Sequence, residues 1–197
     1  MDKEIRIFNT EIEYRSGEGE KPAEAEGHFL VFDERVQIMP GYYEEIASTA
    51  LDNVMDDDVR VLFNHDENKI LARTKAKPEP TATIDKDDKG GIVRWSFPKT
   101  TYADDLRESM KRGDVSQMSF AFRVKKVEWT DFENGDVLRR ITEFEKLYDV
   151  SPVTFPAYPT TDVALRSMQD HKKEIEQSRQ PVDFSMKEKH IRMMEIQ

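Results

Sequence analysis

Cysteine is absent from the chain. There is therefore no disulfide framework, no thiolate metal site and no cysteine nucleophile, which removes several enzyme classes at once. Basic charge is not in excess: 30 Lys and Arg stand against 40 Asp and Glu, a net charge of -10. Phosphate neutralisation needs the opposite balance, gathered into basic blocks, so nucleic acid is not an expected partner. No apolar run approaches the ~20 residues of a membrane span. The start, MDKEIRIFNTEIEYR, is charged from its second residue and lacks the apolar stretch of a signal peptide. The expectation is a soluble, non-secreted protein without membrane contact. Also missing are a P-loop, a dinucleotide fingerprint, an H-x-x-x-H spacing and a Gly-rich calcium loop around Asp56, Asp57 and Asp58. Neither a metal nor a cofactor is expected.

What is present is an aromatic share of 10% in 197 residues, with 11 Phe. That supports one modest core plus solvated tails. Alternation at Ile5, Ile7, Ile12 and Tyr14 reads as strand, either a hairpin arm or a bulged strand with a break at Phe8 to Thr10. Residues 16–26 read as a surface loop, and His28 to Phe32 as a buried strand. Tyr42, Ile46, Ala50 or Leu51, and Val54 recur at helical spacing, which predicts a helix from Gly41 with Asp56 to Asp58 beyond its end. VRVLFNH and KILARTKA read as two strands around a polar turn, Asn64 to Asn68. A further strand, a DDKGG turn and another strand follow, with Gly90 and Gly91 supplying positive backbone angles.

TTYADDLRESMKRGDVS carries the signals of a helix. Thr101 can cap it with Asp104 three residues on, Leu106 and Met110 pair at i, i+4, and Gly113 ends it. Residues 115–129 alternate through Met118, Phe120, Phe122, Val124 and Val127. The Asn134-Gly135 turn joins them to a second alternating run, Val137 to Val150, predicting a long antiparallel hairpin. Pro152, Pro156 and Pro159 are expected to end regular pairing. The core domain is expected over 1–166, mostly β with two helices. Residues 167–197 form a polar tail, solvated or partly helical.

Of four histidines, His171 and His190 fall in the tail, where an exposed imidazole is the default. His28 lies in an apolar strand and reads as structural. His65 stands at a strand end before Asp66 and Glu67, where it either reaches an open site or simply bonds the neighbouring acids. Ser119 is a hydroxyl among apolar side chains, in need of a partner. A serine becomes a nucleophile when a base, usually His held by a carboxylate, takes its proton. Asp149 shares strand parity with Leu147, Val153 and Phe155, so it points inward as a lone acid among apolar neighbours.

Three blocks, in order, carry a resemblance: LFNHDENKILARTKA, DVSQMSFAFRV and RRITEFEKLYDVSPVTFPAYPTTDVALRS. Their N-H-D and I-L-x-R-T, M-S-F-x-F, and L-Y-D-V-S-P-V-T-F-P-A-Y-P patterns resemble the tailed-phage prohead maturation serine protease family. The chain has Gln117, Ala121 and Ala72 where that family commonly has glycine. The resemblance covers roughly residues 25–166. It implies an α+β fold similar to herpesvirus assemblin, a mainly antiparallel β-barrel surrounded by helices. It also implies a serine endopeptidase with Ser119 as nucleophile and His65 as general base. The third member is expected to be Asp149, with Glu145 and Glu143 as alternatives of the same strand parity. Backbone amides would complete the oxyanion hole, the loop after Asp149 being one source; losing one donor costs on the order of 3 kcal/mol.

The implied role is cleavage of a scaffold, the capsid protein's scaffolding segment and the protease itself during procapsid maturation. The implied partners are the major capsid protein with its scaffolding segment, or a separate scaffold protein, and the portal in the procapsid lumen. The implied location is inside the procapsid in the host cytoplasm. Herpesvirus relatives add, by analogy, a homodimer or higher oligomer. The alternative is a catalytically weak or inactive assembly module on the same fold.

Overall fold

The computed structural model describes residues 3–8, 12–17, 22–155 and 162–179. The chain falls into two units, residues 1–161 and 162–197. In order, the elements are β1 (Glu4–Phe8), β2 (Ile12–Arg15), β3 (Glu24–Val31), β4 (Val36–Met39), β5 (Tyr42–Ile46), β6 (Arg60–Phe63), β7 (Asp66–Arg73), β8 (Ala82–Lys86), β9 (Gly90–Ser96), α1 (Thr101–Arg112), β10 (Gln117–Asp131), β11 (Val137–Val153) and α2 (Asp162–Arg179).

The expected hairpin is present. β10 and β11 pair antiparallel from Gln117↔Val153 to Asp131↔Val137, and Gly135 takes φ 88° at the turn, an angle open to glycine. β1 adds to β10 antiparallel, with Ile7 opposite Ser119. The other edge of β11 is shared: Val137 to Ile141 run parallel to Tyr42 to Ile46, whereas Asp149 and Val150 run parallel to Arg60 and Val61. A seven-stranded sheet results, and β2, β3, β9 and β8 form a second sheet of four strands. Among the described residues this is an α+β fold of two sheets and no closed barrel, which corrects the assemblin-like barrel ringed by helices. The reason lies in β11, which divides its second edge between β5 and β6, so the sheet forks and β1 stays at its margin.

The core is aromatic. Phe120 stacks on Phe122 at 4.8 Å, Phe122 meets Phe144 at 4.6 Å, and Phe29 of the second sheet meets Phe120 edge-on at 5.6 Å. Each fully buried ring contributes about 1.5–3 kcal/mol. Met118, Phe120 and Phe122 share a β10 face; alternation sends Ser119 and Ala121 to the other.

Several expectations are corrected. The segment from Gly41 is not helical: Tyr42 to Ile46 are strand and residues 48–55 are turns. Tyr42, Ile46, Ala50, Leu51 and Val54 are nevertheless all buried, so the apolar set is right and its conformation differs. β1 buries Glu4, Arg6 and Phe8, leaving Ile5 and Ile7 half-buried. The inward charges compensate one another. Arg6 binds Glu44 at 2.5 Å and Glu4 at 2.6 Å, and Arg139 binds Glu4 and Glu44 at 2.9 Å. Burial works against the charge on Arg6 and Glu44, but the ion pairs outweigh it, raising Arg6 and holding Glu44 below the usual carboxylate range. β1 and β2 lie in different sheets, so the N-terminal segment is not a hairpin arm.

Gly90 and Gly91 are needed for close approach, not for positive φ. A Cβ on Gly90 would sit 2.0 Å from the Leu30 carbonyl oxygen, and one on Gly91 2.6 Å from the Phe29 ring. α1 is capped by Thr100, whose side chain makes no capping bond, in place of Thr101; Gly113 closes the helix at φ 81° as expected. Pro152 does not end pairing, since it stands opposite Met118 inside the ladder. Pro156 and Pro159 lie outside the described residues. α2 runs across the expected 166/167 boundary and sets Leu165, Met168, His171 and Ile175 half-buried on one stripe. Among the described residues no helix is long and apolar enough to cross a membrane.

Candidate active site

β6 and β7 are joined by two residues, Asn64 and His65, between the paired Phe63 and Asp66. Both turn residues take left-handed angles, φ 56° and 57°. Two consecutive positive angles are what a tight two-residue hairpin requires, and asparagine is among the few side chains that tolerate one. The tip is fastened to the end of β11. Asn64 N donates to the Pro152 carbonyl at 3.1 Å, and Asn64 Oδ1 accepts the Thr154 amide at 2.9 Å. The turn thereby presents His65 to the strand that carries Asp149.

On β10 and β11 the register places Ser119 opposite Ser151 and Ala121 opposite Asp149. Asp149 is buried with Leu147 and Val153 as expected, whereas Phe155 is 82% exposed. The three segments converge: His65 Nε2 is 2.6 Å from Ser119 Oγ, and His65 Nδ1 is 2.5 Å from Asp149 Oδ1. Asp149 Oδ1 also accepts the Ser151 hydroxyl at 3.0 Å, and Lys3 Nζ approaches Asp149 Oδ2 at 3.4 Å.

Burial acts to raise the Asp149 carboxyl. The hydrogen bond and charge of His65, then Lys3 and the Ser151 hydroxyl, outweigh it and hold the group below the usual carboxylate range. An ionised Asp149 assigns the proton to Nδ1 and leaves Nε2 as an acceptor facing Ser119. Ser119 Oγ is also 3.0 Å from the Arg6 carbonyl, so its single proton has two alternative acceptors. A serine, an imidazole and a carboxylate in such a relay can perform nucleophilic acyl transfer. Ser119 is fully buried. A cleft of about 380 Å³ lies beside Asp149, lined by Lys3, Leu62, Ile70 and Tyr148 among others.

The remaining candidates are engaged elsewhere. Glu145 pairs with Arg123 at 2.8 Å, and Glu143 with Asn53 and Lys125. His28 meets Asp87 at 3.1 Å on the four-stranded sheet. His171 lies on α2 in the second unit, and His190 is outside the described residues. Asp57 accepts Lys146 and the Leu147 amide, and Asp58 is bound by Arg73. The segment after Asp149 is strand through Val153, and the Thr154 amide is spent on Asn64. Sequence reasoning missed Asn64, Ser151, Lys3 and the Arg6 carbonyl. Period-two arithmetic from Asp149 points to Ser151, and the preference of asparagine for left-handed angles points to Asn64. No local signal marks Lys3 or the Arg6 carbonyl, which arrive from the far end of the sequence.

The family described as Caudovirus prohead serine protease matches residues 10–174 of this sequence. The chain belongs to that family. It is 30% identical over 173 residues to the prohead protease of Enterobacteria phage HK97, a match covering 85% of this chain and 70% of that protein. The capsid assembly protease of bacteriophage T4 is similar in structure, with a TM-score of 0.51 and 16% identity over 78% of this chain and 98% of that one. That likeness is one of fold. By that membership the chain has the role of a prohead maturation protease. His65, Ser119 and Asp149 all lie within the matched span, whereas β1, with Lys3 before it, precedes it.

Proposed function

We propose that this prohead protease is a serine endopeptidase whose nucleophile is Ser119. Ser119 Oγ attacks the peptide carbonyl carbon and passes its proton to His65 Nε2. Collapse of the tetrahedral intermediate breaks the C–N bond, and the same proton goes to the leaving amine. Water then attacks the acyl carbon as His65 takes its proton; the ester C–Oγ bond breaks, and His65 returns that proton to Ser119 Oγ. Asp149 holds the imidazole and stabilises its cationic form. The observation that carries this reading is the continuous relay of 2.6 Å and 2.5 Å contacts from Ser119 through His65 to Asp149.

The substrates are a scaffold or the capsid protein's scaffolding segment, and the protease itself, inside the procapsid. Confinement supports this: an enclosed enzyme and substrate reach a high effective concentration, so modest intrinsic activity suffices. The chain beyond residue 166 acts as a targeting or self-processing segment.

The test is co-expression with the phage's major capsid protein, comparing wild type, Ser119→Ala and His65→Ala by the capsid protein's mass. A shortened capsid protein with wild type and a full-length one with both variants is expected. Full length in all three, in assembled particles, would overturn the reading in favour of a catalytically silent assembly module.

A further inference from the structure

Ser151 has no part in the mechanism so far, yet it is fully buried beside the relay. Two features of β11 put it there. It stands two residues after Asp149 and so shares that residue's face, and the hairpin register sets it directly opposite Ser119. Its hydroxyl donates to Asp149 Oδ1 at 3.0 Å, the same oxygen that accepts the hydrogen bond from His65 Nδ1, and its Oγ lies 3.4 Å from Nδ1.

We infer that Ser151 is a positioning residue, fixing the rotation of the Asp149 carboxylate so that Oδ1 faces His65. Asp149 has two oxygens and three donors. Lys3 approaches Oδ2 from a side chain that is 44% exposed and free to swing into water. Ser151 is short, buried and carried on the same strand as the carboxylate, so it holds Oδ1 with little loss of side-chain entropy. Without it, the carboxylate is steered by the imidazole that it is meant to orient and by the long, half-exposed Lys3 side chain. The hydroxyl is not required by the ladder itself, whose hydrogen bonds are made by the backbone.

This inference rests on the serine-protease reading, and the experiment separates the two. The first-order rate of capsid-protein processing in co-expressed procapsids is measured for Ser151→Ala, Ser151→Thr and Ser151→Val, with Ser119→Ala and His65→Ala alongside. Thr and Val have the same shape and differ in the hydroxyl. Loss of one hydrogen bond to a charged group predicts roughly tenfold slower processing for Ala and Val, with Thr substantially faster than Val. Ser151→Ala at the wild-type rate, or Thr no faster than Val, overturns the inference while the protease reading stands. Processing retained by Ser119→Ala or His65→Ala, or absent from wild type, overturns both.

Discussion

Replacing Asp149 by asparagine leaves the shape of the side chain nearly unchanged and removes its charge, which isolates what the carboxylate does. In the wild type, Asp149 Oδ1 accepts both the His65 Nδ1 proton at 2.5 Å and the Ser151 hydroxyl at 3.0 Å. The substituted amide has two ways to fill that place. With its nitrogen toward Nδ1 it forces the proton to Nε2, and His65 can no longer accept from Ser119. With its oxygen there the tautomer survives, but the imidazolium formed during attack has no counter-charge, and the NH₂ group faces the Lys3 ammonium. Wrong-tautomer and lost-charge effects of this kind lower turnover by on the order of 10³- to 10⁴-fold, about 4–5.5 kcal/mol in the barrier.

The assay is the initial rate of capsid-protein processing by Asp149→Asn against wild type, with circular dichroism to show that the fold is retained. Glu143→Gln and Glu145→Gln serve as comparisons. Their carboxylates pair with Lys125 and Arg123 away from His65, so both variants should stay within about twofold, the pairs being worth ~1 kcal/mol or less. An Asp149→Asn enzyme that keeps more than about a tenth of the wild-type rate would refute the assignment.

Arg139→Met should destabilise the protein by about 3–5 kcal/mol in urea unfolding, because Arg6 is then the one cation left among two buried carboxylates, Glu4 and Glu44; a loss under about 1 kcal/mol would show the cluster to be solvated. Asp149 and Glu44 are both held below the usual carboxylate range. Their contribution is therefore complete above the unfolded-state value of about 4 and is lost as pH falls through the folded-state values. Stability of wild type should decline on acidification below about pH 4, and Asp149→Asn should show a shallower decline; parallel pH profiles would contradict this. Asn64→Ala should weaken the hairpin by about 1–2 kcal/mol through its left-handed angle and slow processing further by freeing the tip from Thr154. Asn64→Gly should recover the stability but not the rate, a split readable from unfolding curves and processing gels together.

The parts of the fold that rest on neighbouring residues were legible. The β10–β11 hairpin follows from period-two alternation meeting at Asn134-Gly135, and α1 from its apolar pair and Gly113. His65, Ser119 and Asp149 could be named because three short blocks resemble one family, while the alternation of β11 independently turned Asp149 inward. Apart from the resemblance, none of these signals says that the three side chains meet.

Tyr42 to Ile46 shows where local reading fails. Tyr42 and Ile46 lie on one stripe under a helical period and on one face under a strand period, so the apolar pattern cannot choose. Glu44, the residue that argues for the helix by being charged, is inward because Arg6 and Arg139, distant in sequence, neutralise it. The same holds for β1, whose isoleucines suggest the wrong buried face until Glu4 and Arg6 find their partners. By itself, then, the sequence determined the hairpin and the helix and singled out the candidate reacting groups, since turn angles, periodicity and short motifs act over a few residues. Tertiary structure alone decided the forked sheet, the inward charges and the relay itself. Ion pairs and hydrogen bonds between segments 38 to 135 residues apart carry no local trace, and they form only once the strands are in register.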